Sequence, residues 1–272
     1  MKIIISSIIF LFISTAVASP GDTIDIFTLP DQPNGGVRGL AKDWSDGNIF
    51  AAGPRYEDHC VFCKFHLDDH HLVKDWELLV GCFRNADIGY PYHYSGYNAL
   101  VVMDDSIPRV KLFNSANGNY LGYLDDPFNQ EFTEGVGANP NNNFLYATNN
   151  NLSECKEWDG TQWSTFATYS ESNNAGVAYG WGCVFVIFSH PVYRIKVFNE
   201  SGEFIEEYSL NNWGTGYISG ISCAHEDIIG NNESLFVSIT YPSNIIKEVE
   251  VGNFYEEAIE NLSVGMIRAV FQ

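Results

Sequence analysis

Apolar residues in this chain come in short runs separated by turn residues, not at helical spacing. Five such runs are Asn48-Ile49-Phe50-Ala51-Ala52, Ala99-Leu100-Val101-Val102-Met103, Phe144-Leu145-Tyr146-Ala147-Thr148, Cys183-Val184-Phe185-Val186-Ile187 and Ser234-Leu235-Phe236-Val237-Ser238. Val, Ile, Phe and Tyr dominate them, while Asn, Asp, Gly and Pro fill the gaps, which predicts strands and tight turns. No stretch keeps a helical apolar period over three turns. Val73 to Val80 comes nearest, but it stands where a fourth strand of its unit is due.

The runs repeat. Each follows a small-residue mark: Gly39-Leu40, Gly89-Tyr90, Gly135-Val136, Gly176-Val177 and Gly220-Ile221, with Gly265-Met266 beyond the fifth. The marks recur roughly every 45 residues. A third segment follows four of the runs: Arg109-Val110-Lys111-Leu112-Phe113-Asn114, Glu154-Cys155-Lys156-Glu157-Trp158-Asp159, Arg194-Ile195-Lys196-Val197-Phe198-Asn199 and Ile245-Ile246-Lys247-Glu248-Val249-Glu250. The first unit departs from this, with Cys63 in the Lys place of Phe62-Cys63-Lys64-Phe65-His66. A last strand closes each unit, as in Tyr120 to Leu124 and Phe204 to Tyr208. Four short strands per unit predict an all-β fold, a β-propeller of four-stranded blades. One such sheet cannot cover both its faces, and radial stacking gives each face a partner. The pattern of Gly-apolar, apolar strand, Lys-x-aromatic-Asn and Gly turn resembles the NHL and YVTN group of propeller repeats, which sits with secreted bacterial WD40-like propellers. The resemblance covers residues 36 to 260 and implies the fold rather than one activity.

Five full units are visible. Thr23 to Leu29 reads as an outermost strand, and Ser263 to Gln272 as an innermost one. Three readings follow: five full blades with the chain ends associated, which is preferred; six blades with one reduced or split; or a chain cut short of a longer ring.

The N-terminus adds a destination. Lys2, the apolar run Ile3 to Val17 and Ala16-Val17-Ala18 read as a secretory signal peptide, residues 1–18, cleaved after Ala18. Residues 19–272 then form a single propeller domain, secreted or periplasmic and monomeric. The net charge of −20 disfavours nucleic acid and anionic lipid, and no later apolar run is long enough to insert in a membrane. Cys60, Cys63, Cys82, Cys155, Cys183 and Cys223 are even in number and suit an oxidising compartment; a local bridge from Cys60 or Cys63 to Cys82 is expected. Cys60-x-x-Cys63 flanked by His59, His66, His70 and His71 looks like a zinc cluster. On a strand, however, residues three apart face opposite ways, which spoils a shared site.

Candidate chemistry sits where the loops enter the innermost strands. Arg38, Asp87, Glu134, Asn174 and Ser219 precede the marks and are the axial funnel candidates for a polar ligand. Glu134, Asn174 and Asp87 resemble the ligand set of sugar-lactone-hydrolysing propellers, which would hold Ca²⁺. Phe132-Thr133-Glu134-Gly135 resembles the Phe-Thr-Gln-Gly entry of plant-type glutaminyl cyclases, also exported five-bladed propellers. Tyr90, Tyr92, Tyr94 and Tyr97, with His93, form an aromatic patch that would suit sugar or peptide stacking, or pack beneath a long loop. No G-x-S-x-G elbow or dinucleotide fingerprint is present. The sequence therefore favours a binding scaffold for a protein, peptide or glycan. The alternative is a propeller enzyme, a metal-dependent hydrolase, lyase or glutaminyl-cyclase-like protein, with an axial site.

Overall fold

The computed structural model describes residues 19–29, 36–43, 45–56, 59–68, 71–80, 85–104, 109–128, 133–189, 192–210, 217–223, 233–241 and 245–252. These form twenty strands in five four-stranded antiparallel sheets, and no helix.

Blade one holds β2 (Gly39–Lys42), β3 (Ile49–Tyr56), β4 (His59–Asp68) and β5 (His71–Val80). Blade two holds β6 (Asn85–Tyr94), β7 (Tyr97–Asp104), β8 (Arg109–Asn114) and β9 (Tyr120–Asp125). Blade three holds β10 (Thr133–Asn139), β11 (Phe144–Asn149), β12 (Glu154–Trp158) and β13 (Trp163–Thr168). Blade four holds β14 (Asn174–Gly180), β15 (Cys183–Phe188), β16 (Arg194–Asn199) and β17 (Phe204–Ser209). Blade five takes β18 (Tyr217–Cys223), β19 (Glu233–Tyr241) and β20 (Ile245–Gly252) from its own unit and its outermost strand, β1 (Thr23–Thr28), from the start of the chain.

The ring therefore has five blades, not six, and shuts by pairing β1 antiparallel to β20, with Thr28 opposite Ile245 and Phe27 opposite Ile246. The strand read at 263–272 and the signal segment 1–18 lie outside the described residues.

Burial follows radial position. The second strand of a blade is covered on both faces, so β15 (Cys-Val-Phe-Val-Ile-Phe) is buried throughout, whereas outermost β17 buries only Tyr208. Five apolar clusters each fill one gap between neighbouring blades. Phe62 packs with Phe113 between blades one and two, Val101 with Leu145 between two and three, and Tyr146 with Val186 between three and four. Phe185 packs with Ile221 between four and five, and Phe236 and Phe27 pack with Leu40 between five and one. Among the described residues every gap holds a core, so each sheet is packed on both faces. Each large side chain so buried contributes about 1.5–3 kcal/mol relative to exposure.

Two-residue turns join the inner hairpins of blades two and four. Ser95-Gly96 and Trp181-Gly182 take φ of 50° and 84°, and 50° and 74°, the mirror-image turn that matches strand twist. The departure in blade one is real. Lys111, Lys156, Lys196 and Lys247 lie opposite Val102, Ala147, Val186 and Val237, and Cys63 holds that register place opposite Ala51. Lys64, one residue on, reaches Asp43 and Asp46 at 2.7 and 2.6 Å. Burial alone would raise Asp43, but the bonds from Lys64 and Ser45 outweigh it and hold the carboxyl below its usual range.

Candidate functional site

The innermost strands converge on the axis with their free edges. Their register shows which residues form the central ring. Gly39 lies opposite Ala52, Gly135 opposite Thr148, Gly176 opposite Ile187 and Gly220 opposite Ser238. In blade two the equivalent residue, opposite Met103, is Asp87. Gly89, read as that blade's mark, sits two places further along, level with Gly137. The ring is thus four glycines and one aspartate.

The glycines are required by closeness. A Cβ on Gly220 would stand 2.6 Å from the Arg38 carbonyl oxygen and 3.0 Å from the Gly39 Cα. One on Gly135 would stand 2.8 Å from the Gly176 Cα. These neighbours are backbone and cannot swing aside.

Asp87 is fully buried at the middle of this ring. Its Oδ1 accepts from the Ile88 N–H at 2.9 Å and the Leu40 N–H at 3.4 Å, and its Oδ2 accepts from the Val136 N–H at 3.3 Å. Burial pushes its carboxyl well above the usual range; the three N–H bonds oppose this, and nearby Glu134 adds to it. Both oxygens face donors. A cation at this point would meet N–H groups of the wrong polarity.

The other funnel candidates divide. Asn174 is buried, and its Nδ2 donates across the blade gap to the Asn149 carbonyl at 2.7 Å and the Leu152 carbonyl at 3.1 Å. Ser219 is buried, its Oγ donating to the Val37 carbonyl at 2.8 Å and lying 3.2 Å from Ser238 Oγ. Both tie one blade to the next. Arg38 and Glu134 are half-buried beside the ring. Asn174 is thus aimed at carbonyls while Asp87 is aimed at amides. Among the described residues, no group of three or more His, Cys, Asp and Glu is gathered for a metal.

The aromatic patch also divides. Tyr90 is buried against Phe50, with ring centroids 4.7 Å apart, and Tyr92 is buried and accepts from Trp158 Nε1 at 3.1 Å. Tyr94 is half-buried over Gly122, and Tyr97 is 50% exposed. Cys60 and Cys63 pack into different blade gaps, as strand geometry requires. Cys60 is disulfide-bonded, while Cys63 is a buried thiol.

Open space lies at the other end of the axis, on the C-terminal side of the innermost strands, where Tyr90 of the aromatic patch is the one sequence candidate among the lining residues. There Ala41, Gly89, Gly137, Ala178 and Ser222 wall a small open pocket, and Lys42, Tyr90 and Tyr179 line it further out. Tyr179 donates from its hydroxyl to Glu200 at 2.5 Å and stacks on Tyr146 at 6.1 Å. Burial, reinforced by Asp159 and Glu200, raises the Glu157 carboxyl despite a bond from Tyr146. The signal for this pocket was the small second residue after each ring position.

No protein-family profile and no curated protein matches the chain. Solved structures share the fold. A chain of a nidogen/laminin complex aligns at TM-score 0.54 and 14% identity, over 79% of this chain and 76% of that one. Glutaminyl cyclase of Myxococcus xanthus aligns at 0.59 and 8%, over 85% and 97%. A tail fibre of Staphylococcus aureus phage P68 aligns at 0.52 and 10%, over 87% of this chain and 54% of that one.

Proposed function

We propose that this chain is an exported propeller that binds a protein, peptide or glycan and does no chemistry at the ring. One observation carries the reading: both Asp87 oxygens are engaged by main-chain N–H groups. A carboxylate so held is poorly placed to serve as a base or a metal ligand. The shallow pocket beyond the ring offers small walls, two tyrosines and a lysine against which part of a ligand could rest. A neighbour drawn from a nidogen/laminin complex supports a role in binding proteins.

The test is a screen of the protein against peptide and glycan arrays, repeated with Tyr179→Ala. Binding that the substitution weakens supports the reading. Binding that it leaves untouched moves the contact away from the pocket.

A second reading has its own support. The Phe132-Thr133-Glu134-Gly135 run enters innermost strand β10, Glu134 lies beside Asp87, and a glutaminyl cyclase shares the architecture. Incubation with a peptide bearing N-terminal Gln decides this one. Loss of ammonia, abolished by Glu134→Gln, would replace the binding reading. Metal content and melting with EDTA or Ca²⁺ complete the set. A stoichiometric ion whose removal lowers the melt would argue for a metal enzyme.

A further inference from the structure

At the axis a main-chain edge meets a side chain from another blade, and the match is chemical as well as steric. In four blades a register shift immediately precedes the ring residue: Asn85/Asp87, Thr133/Gly135, Asn174/Gly176 and Ile218/Gly220. The residues that follow the ring position, Leu40, Ile88, Val136, Val177 and Ile221, hold one equivalent place around the axis. Three of their N–H groups donate to Asp87. The remaining two blades approach through their glycines. A Cβ on Gly176 would lie 3.4 Å from Asp87 Oδ2, and one on Gly220 would lie 3.1 Å from Oδ1. The same Gly176 Cβ would lie 3.3 Å from the Ile221 nitrogen. In this slot the carboxyl group therefore bonds to three blades, and a Cβ on the ring glycine of either of the other two would come up against it. Converging main-chain N–H groups form an anion-binding concavity whatever anion occupies them.

We propose that the ring of main-chain N–H groups is a carboxylate-binding site that the chain fills with its own Asp87. Without that side chain, the site takes a small carboxylate anion from solution. The five strands present the same N–H, and only one supplies the acceptor. The glycines on the other four leave the slot clear for it. Replacing Asp87 by glycine makes the ring uniform and empties the slot without adding an atom.

The experiment melts Asp87→Gly and wild-type protein at neutral pH in rising sodium formate. Sodium pivalate at the same concentration is the control, since it carries the same carboxylate and charge on a body too bulky for the slot. At formate about tenfold above its dissociation constant, the variant should melt about 3–5 °C higher than in pivalate. Wild type, whose slot is full, should melt alike in the two salts. Coincident curves for the variant overturn the proposal. If Asp87→Gly yields no folded protein in either salt, hydrogen exchange on wild type decides. The Leu40, Ile88 and Val136 amides should then exchange as slowly as amides inside the sheets. Exchange at the rate of open strand edges shows the carboxylate is not seated there and overturns the proposal. This outcome does not depend on what the pocket beyond the ring binds.

Discussion

The two ends of the axis use their residues in opposite ways. Where the innermost strands enter, three polar side chains are engaged with the scaffold. Asp87 satisfies amides of three blades, Asn174 satisfies two carbonyls of its neighbour, and Ser219 joins blade five to the segment leading into blade one. Where the strands leave, small residues at equivalent places open a pocket walled by Ala41, Gly89, Gly137, Ala178 and Ser222. Polar residues near a propeller axis are thus poor markers of a ligand when the backbone edges there need partners. Small residues mark the space better.

The sharpest way to break this contrast is to remove Asp87. Asp87→Ala strands three buried N–H groups and should cost about 3–5 kcal/mol in urea unfolding. The same residue gives the entry end a pH signature. Its folded carboxyl is raised, so the native state keeps a proton that the unfolded chain releases. Its contribution to stability therefore falls as pH rises from the unfolded carboxyl value, about 3.9, through the folded one. Subtracting the Asp87→Ala profile from wild type should expose that slope. Asp43 and Glu171 act with the other sign. Their pKa values are lowered, so their stabilisation is present above the unfolded values and lost as pH falls through the folded ones.

Smaller changes sharpen the comparison. Gly220→Ala drives a methyl group against the Arg38 carbonyl and should lower stability by about 1–3 kcal/mol. Asn174→Ala should cost about 1–2 kcal/mol and Ser219→Ala about 1 kcal/mol, read as shifts in urea midpoint. At the far end, Tyr179→Phe removes a bond to exposed Glu200 and a long one from Asn141 Nδ2, and should cost no more than about 0.5–1 kcal/mol. An equal loss at both ends would erase the distinction.

Much of the architecture was legible because each unit repeats one burial pattern. The runs at Ala99 to Met103 and Cys183 to Ile187 fall inside β7 and β15, and even the Lys-to-Cys63 exception kept its register. Closure by β1 was legible as an outermost strand with the chain ends associated, but not its register, because pairing Thr28 with Ile245 leaves no local trace. At the axis, Asp87 reads in the sequence as a residue that precedes a glycine. It stands in place of one, and the register shifts that align it with Gly135 are made by the backbone, not spelled by residue type. Asn174 and Ser219 looked like ligand groups because sequence shows a polar side chain but not which way it turns.

The pairing of β1 with β20 also orders events in time. Among the described strands, Thr23 to Thr28 is made first and its partner last. Until Ile245 to Gly252 has emerged, Phe27 has no Phe236 to pack against, and the gap between blades five and one cannot fill. Blades one to four can each pair locally, but the ring can close only late, after a long loop has been gathered at an entropic cost. A permuted chain that begins at blade one and carries β1 directly after β20 would make every blade from one continuous stretch and should fold faster.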